Sequence, residues 1–155
     1  ELLRYQLYGG NQKVSILQEI DYLKTYIALR KLRMSERLRL RVEFPPELNE
    51  LNIYPLLFLP LVENAFKYVG GDYQLDIIMK WENNRISLFI RNSIPELSAE
   101  DEALRKSVDE RQRKGIGLVN LRRRLSLLYP SKHRLETRKE ETEFVAELMI
   151  EIEEI

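Results

Sequence analysis

The 155-residue sequence predicts a two-layer α/β sandwich that follows a helical segment. Stretches with apolar residues at helical intervals are interspersed with stretches that alternate apolar and polar residues. The alternating stretches carry one polar face, so one side of the sheet should meet helices and the other side water. The chain is long enough for one ordinary core, and its 44% hydrophobic and 32% charged residues are typical of a globular domain.

Composition disfavours several classes of function. Lys plus Arg and Asp plus Glu number 25 each, so the overall charge does not favour binding to nucleic acid or to an anionic membrane. The chain has no cysteine, which excludes disulfides, thiolate metal sites and a cysteine nucleophile, and is compatible with a reducing cytoplasm. No apolar run approaches the roughly 20 residues that span a bilayer, and we expect no signal peptide.

The first long helix is predicted over residues 15–35. Ser15 and Gln18 have the spacing of a capping box. Apolar residues follow at helical intervals, namely Ile16, Ile20, Leu23, Ile27 and Leu32. We expect residues 1–35 to be a helical remnant that leads from an upstream module, and residues 36–155 to form the globular domain.

The next two elements are a strand and a second helix. The strand is predicted where Leu38, Leu40, Val42 and Phe44 alternate with charged residues. The helix is predicted over about residues 54–69, and Pro60 either kinks it or marks its true start.

The second half of the domain contains a hairpin and a charged segment. Strands at 74–81 and 85–92 flank Asn83-Asn84, which suits a hairpin turn. The stretch from Pro95 to Lys114 is rich in charge and poor in large apolar residues, which predicts a loop with one short helix; a solvated linker is the alternative. The remaining elements are predicted as a helix at 117–129 and strands at 133–138 and 143–152.

The second helix carries the first candidate site. Glu63 and Lys67 lie four residues apart and could form an ordinary helix pair. Asn64 stands beside an apolar stripe, where its amide needs a partner. Its oxygen is a hard ligand of the kind that Mg²⁺ prefers, and a nearby lysine adds a point charge for phosphate. A helix with this pattern is by itself more often structural.

Two further motifs suit a ligand. Gly115 and Gly117 precede a predicted helix, where backbone N–H groups can approach an anion closely. The pattern matches neither a Walker A motif nor a Rossmann fingerprint, so a glycine hinge is the alternative. Asn92 ends a strand, where its amide could bond a ligand amine and a ring nitrogen, although such an Asn is by default a turn former.

The order and spacing of these motifs resemble the Bergerat nucleotide-binding fold of histidine kinases, gyrase, Hsp90 and MutL. Within that fold the chain looks most like the LytS/YehU-type sensor histidine kinases. Residues 55–68, Pro-Leu-Leu-Phe-Leu-Pro-Leu-Val-Glu-Asn-Ala-Phe-Lys-Tyr, resemble the N box of that family. Residues 115–130 resemble its G2 box and the following helix. Leu3-Arg4-Tyr5 and the segment 19–33 resemble the end of its internal dimerisation region.

The resemblance implies ATP and Mg²⁺ as cofactors. Asn64 would be the Mg²⁺ ligand and Lys67 a phosphate contact. Glu63 would lie beside the phosphates and help to polarise the attacking group, so that Glu63 and Asn64 form the catalytic pair. Asn92 stands where many relatives have the adenine-reading aspartate. Tyr68 falls in the same nucleotide-binding stretch.

The resemblance also assigns the second half of the nucleotide site. The backbone around Gly115, Ile116, Gly117 and Leu118 would wrap the phosphates, and Asn120 would help at the helix entrance. The charged segment 96–114 would be the ATP lid.

Three features depart from the family pattern. Tyr68 stands where the family often has histidine. The Asp-x-Gly adenine motif is reduced to Asn92-Ser93, and a neutral amide makes a weaker bond to the adenine amino group than a carboxylate does. The phosphoacceptor segment of the family is absent, and the one histidine, His133, lies in a loop before the last strands.

We therefore expect an ATP-binding catalytic domain that delivers the γ-phosphoryl to a histidine outside this chain. The parent kinase would be a homodimer anchored in the inner membrane, with this domain in the cytoplasm, and would act on a response regulator. The alternative is a nucleotide-independent docking or dimerisation module with a degenerate kinase fold. A chaperone or topoisomerase ATPase is disfavoured, because Pro60 stands where those relatives usually place a catalytic Glu.

Overall fold

The computed structural model describes residues 12–46, 48, 51–96, 103, 106–107, 110–112 and 115–152. The elements in the first half are β1 (Val14–Ser15), α1 (Ile16–Arg33), β2 (Arg39–Glu43), β3 (Asn52–Ile53) and α2 (Leu59–Tyr68). Those in the second half are β4 (Gln74–Glu82), β5 (Arg85–Ser93), α3 (Ile116–Leu128), β6 (His133–Lys139) and β7 (Glu143–Glu151). These elements confirm the predicted α/β class.

Five of the described strands form one sheet in the order β2-β4-β5-β7-β6. β2 pairs with β4 in parallel, and the other neighbours pair antiparallel. Alternate residues of the central strands are buried in one cluster with the helices; on β4 these are Leu75, Ile77 and Met79. The helices therefore cover one face of the sheet, which gives the predicted two layers.

The first helix belongs to the same core as the sheet. Ser15 caps α1, since its side chain accepts a hydrogen bond from the Leu17 N–H. β1 pairs with β3, and the buried side of α1 joins the cluster that contains the sheet residues. We expected this helix to belong to a preceding helical region. Its apolar stripe is buried in the same cluster as the sheet residues, and the predicted domain boundary at residue 36 stays a prediction.

The second helix begins at Leu59, with Pro60 in its first turn. Pro60 therefore marks the start of the helix and does not kink it. The preceding residues form a turn in which Leu56 has a φ of +61°, which is unusual for a branched side chain. The Leu56 N–H donates to Glu19 Oε1 at 2.5 Å, and the Leu56 carbonyl accepts from Arg124 Nη1 at 3.3 Å. Side chains from α1 and α3 thus fix the entry to α2.

The remaining local predictions are largely confirmed. Asn83 and Asn84 both have positive φ, as a two-residue hairpin turn of the primed type requires. In the charged segment, residues 103, 106–107 and 110–112 are helical, and most of the predicted lid 96–114 lies outside the described residues. None of the described helices is long and apolar enough to cross a membrane.

Candidate functional site

A cavity of about 460 Å³ opens where α1, α2 and the start of α3 meet. α2 contributes the largest group of its lining residues, namely Pro60, Glu63, Asn64, Lys67 and Tyr68. The turn before α3 contributes Gly115, Gly117 and Leu118, and α1 contributes Tyr26 and Arg30. Two motifs that are about 50 residues apart in the sequence therefore line the same cavity.

The side chains of α2 lie on two sides of the helix, one in the core and one at the cavity. Leu61, Val62, Ala65 and Phe66 are buried in the core. Glu63, Asn64 and Lys67 lie on the side that faces the cavity. The Lys67 ammonium also lies 5.4 Å from the centroid of the Tyr68 ring. The predicted metal and phosphate residues of this helix are thus brought together.

The entrance to α3 offers backbone donors to the same cavity. Gly115 is the N-cap and provides no side-chain cap, so the first N–H groups of the helix have no side-chain partner from it. A Cβ placed on Gly117 would meet nothing within 4 Å, which leaves open space above the backbone. Ile116 is the first residue of α3, and Asn120, one turn further along, is exposed and does not line the cavity.

The contribution of α1 was not predicted from the sequence. Tyr26 packs edge-on against Phe66, with ring centroids 6.2 Å apart, and the Arg30 guanidinium lies 5.6 Å from the same ring. The Arg30 Nε is buried and has no hydrogen-bond partner among the described residues. The available signal was the position of Tyr26 and Arg30, one turn apart and beside the buried Ile27.

The electrostatics of the cavity suit an anion. Among the described lining residues, Arg30 and Lys67 supply two cations, against the single carboxylate of Glu63. Burial raises the pKa of Glu63, and the charge of Arg30 opposes that rise. Burial is also the largest cause of the raised pKa of Tyr26. The excess of positive charge and the helix entrance both favour phosphate.

The donor set also fits a magnesium ion that arrives with phosphate. Within the described ranges, no group of three or more His, Cys, Asp or Glu residues could hold a metal. Mg²⁺ commonly keeps several waters and shares phosphate oxygens, so it needs few protein ligands. Asn64 offers one such oxygen and is half-buried at the cavity.

Asn92 lies at the end of β5 and does not line this cavity. Its side chain is 1% exposed, and its Oδ1 accepts a hydrogen bond from Gln112 Nε2 at 2.7 Å. Gln112 is 0% exposed, and its Oε1 has no partner among the described residues. The predicted adenine contact is therefore already bonded to a residue of the charged segment, which the sequence did not reveal.

Ser93 ties the end of β5 to the turn that follows α2. Its Oγ donates to the Gly70 carbonyl at 2.6 Å and accepts from the Gln74 N–H at 2.8 Å. In the same turn Gly71 has a φ of +62°, and a Cβ there would come within 2.7 Å of the Ile94 carbonyl oxygen. These contacts hold the end of α2 next to the end of the strand that carries Asn92.

His133 lies away from the cavity lining, at the start of β6. It is half-buried, and its Nδ1 lies 2.8 Å from the Tyr129 carbonyl oxygen. The side chain is thus held by local structure.

The fold is that of histidine kinase catalytic domains. The catalytic domain of histidine kinase ThkA matches with a TM-score of 0.60 at 16% identity, covering 91% of this chain and 96% of that one. Acinetobacter baumannii histidine kinase AdeS matches with a TM-score of 0.58 at 15% identity, covering 99% and 73%. Full-length ShkA in complex with AMPPNP matches with a TM-score of 0.58 at 14% identity, covering 91% and 31%. At these identities the likeness concerns the fold.

Sequence comparisons point to the same class. A family model described as histidine kinase matches residues 1–38. Sensor protein kinase HptS of Staphylococcus aureus (strain USA300) is 28% identical over 140 residues, which cover 87% of this chain and 27% of HptS. The chain thus spans about a quarter of this curated relative. Similarity to sensor histidine kinases is confirmed, while the LytS/YehU subtype stays a prediction.

Proposed function

We propose that this chain is the ATP-binding catalytic domain of a two-component sensor histidine kinase. The observation that carries the proposal is that one cavity is lined both by Asn64 and Lys67 of α2 and by the turn at Gly115. The sequence identified these two motifs separately. The kinase fold and the similarity to HptS support it. The comparisons give no support to a nucleotide-independent docking module.

The residues of the cavity would bind the phosphate end of Mg·ATP. The Asn64 oxygen would ligate Mg²⁺, and Lys67 would neutralise phosphate charge. Backbone N–H groups around Gly117 would donate to phosphate oxygens at the positive end of α3. Mg·ATP supplies the phosphoryl group, and the protein contributes mainly position and charge, as is usual for phosphoryl transfer. Tyr68, which lines the cavity, would contact the nucleotide, and Asn120, which lies outside the lining, would help at the entrance to α3.

Asn92 would read the adenine ring. In the structure its oxygen accepts from the Gln112 amide, which has the same donor group, an NH₂, as the adenine amino group. We infer that adenine replaces Gln112 as the donor when nucleotide binds. Asn92 can then keep one hydrogen bond in both states, although a neutral acceptor binds the base more weakly than a carboxylate.

Glu63 would act on the attacking group. Glu63 lines the cavity beside Asn64, and partial burial raises the pKa of its carboxyl against the opposing charge of Arg30. A carboxylate in this position would orient and polarise the imidazole of an incoming histidine. The imidazole must come from another segment, because His133 lies outside the cavity lining.

The acceptor would be the phosphoacceptor histidine region of the parent protein, and a response regulator would receive the phosphoryl afterwards. The parent would be a LytS/YehU-type homodimer anchored in the inner membrane, with this domain on the cytoplasmic side. Because α1 packs into the core, we place the start of the ATP-binding domain near Val14 rather than at residue 36.

Titration calorimetry with Mg·ATP tests the proposed function. We expect saturable binding in the micromolar range and its loss in Asn64→Ala, because the substitution removes the metal-binding oxygen. Asn52→Ala is the matched control, since Asn52 is exposed on β3 away from the cavity, and it should bind as the unaltered chain does. An unaltered chain that binds no nucleotide would refute the catalytic interpretation.

A further inference from the structure

We propose that Arg30 is a phosphate-binding residue of this site. It is contributed by α1, which lies outside both the N box and the glycine motif in the sequence. The inference rests on the proposed function and adds a residue that no sequence motif indicated. It assigns Arg30 to the di- or triphosphate part of the ligand and leaves the base to the Asn92 side.

The position of Arg30 supports this assignment. The side chain lines the cavity together with Asn64 and Lys67. Its guanidinium lies 5.6 Å from the Phe66 ring centroid, and that contact with an α2 residue orients it. Arg30 and Asn64 are thus presented to one space by two helices that pack on each other.

The hydrogen bonds of Arg30 are incomplete. Its Nε is buried and has no acceptor among the described residues. A guanidinium does not lose its proton in proteins, so a buried donor of this kind costs free energy until an acceptor arrives. The Arg30 side chain is also one of the residues that line the cavity. A guanidinium that turns toward an acceptor in the cavity would gain the hydrogen bond that its Nε lacks among the described residues.

Charge and shape select phosphate as that acceptor. Glu63 is close enough to interact electrostatically with Arg30, yet it leaves the Nε unbonded. Arg30 and Lys67 together exceed the charge of Glu63, so the cavity has a positive balance for a polyanion. The planar fork of a guanidinium matches two oxygens of a phosphate group, which an ammonium cannot do.

The test compares ligands with and without phosphate in Arg30→Gln. We expect Mg·ATP affinity to fall by about 10- to 100-fold, because a charge-assisted hydrogen bond is lost. Adenosine, measured by displacement of a fluorescent ATP analogue, should bind as it does to the unaltered chain. Arg33→Gln is the matched control, since Arg33 is exposed one turn further along α1 and does not line the cavity.

Two measurements separate a phosphate contact from a packing role beside Phe66. Arg30→Lys keeps the charge and should recover part of the Mg·ATP affinity. Thermal unfolding of the nucleotide-free variants reports any loss of packing. A packing role would lower the affinities for Mg·ATP and adenosine by the same factor, and that result would overturn the inference.

The remaining outcomes are also decisive. Equal Mg·ATP affinities for Arg30→Gln and the unaltered chain would refute the role of Arg30 and leave the proposed function standing. Absence of Mg·ATP binding by the unaltered chain would refute the proposed function and this inference together.

Discussion

At the scale of single residues, the hydrogen bond between Asn92 and Gln112 occupies the acceptor that we propose for adenine. Both side chains are buried, and one amide donates to the other at 2.7 Å. If adenine must replace Gln112, part of the binding free energy is used to break this bond. Nucleotide affinity should therefore depend on a residue outside the N box and G2 box.

We expect Gln112→Ala to bind Mg·ATP several-fold more tightly, because a hydrogen bond of roughly 1 kcal/mol no longer has to be broken. Titration calorimetry measures the change. Gln18→Ala is a suitable control, since Gln18 is exposed on α1. Weaker binding in Gln112→Ala would mean that Gln112 assists the nucleotide instead of competing with it.

Glu63 should make stability depend on pH in a defined direction. Burial raises its pKa in the folded protein above the ordinary value of about 4.3, so the folded state holds the proton where the unfolded state releases it. The free energy of unfolding should then fall as pH rises from the ordinary pKa to the raised one. Above the raised pKa the loss in free energy of unfolding stays constant, because Glu63 is ionised in both states.

Glu63→Gln removes this titration. We expect the variant to be more stable than the unaltered chain near neutral pH and equally stable below the ordinary glutamate pKa. Denaturant unfolding at several pH values gives the comparison. A stability difference that does not change with pH would contradict a raised pKa as its cause.

At the scale of elements, the entry to α2 determines where Asn64 lies. Leu56 has a left-handed backbone, and its two peptide groups bond to side chains from α1 and α3. A strained residue persists only where its surroundings hold it. The turn therefore couples all three helices that line or support the cavity.

We expect Glu19→Ala to lower the free energy of unfolding by about 1–3 kcal/mol, because the Leu56 N–H loses its acceptor in a partly buried turn. Urea denaturation measures the loss. Glu36→Ala, at an exposed turn position, should change stability much less. If the two variants lost the same amount, the contact with Leu56 would not be what holds the turn.

The sequence predicted elements better than their contacts. Periodicity located α1, α3 and the long strands to within a few residues, because each pattern is local. The two-residue strands β1 and β3 are too short to show an alternation. Arg30 and Gln112 were missed because their partners, Phe66 and Asn92, lie 36 and 20 residues away in the chain.

At the scale of the whole molecule, the parts of the site come from distant stretches of one compact core. α1, α2 and the turn at Gly115 line one cavity, and Ser93 ties the end of α2 to the end of β5. The packing of α1 into this core was not predicted, because a helical pattern does not show which surface the helix covers. The assembled site contains charge and hydrogen-bond donors, and its lining includes no histidine.

The most direct test of the account is phosphoryl transfer from γ-labelled ATP. This chain should bind the nucleotide but remain unlabelled, whereas the same protein extended upstream through its phosphoacceptor histidine should become labelled. Asn64→Ala in the longer protein should abolish the label. Labelling of this chain at His133, or an unlabelled longer protein that still binds ATP, would contradict a catalytic domain that phosphorylates a histidine outside itself.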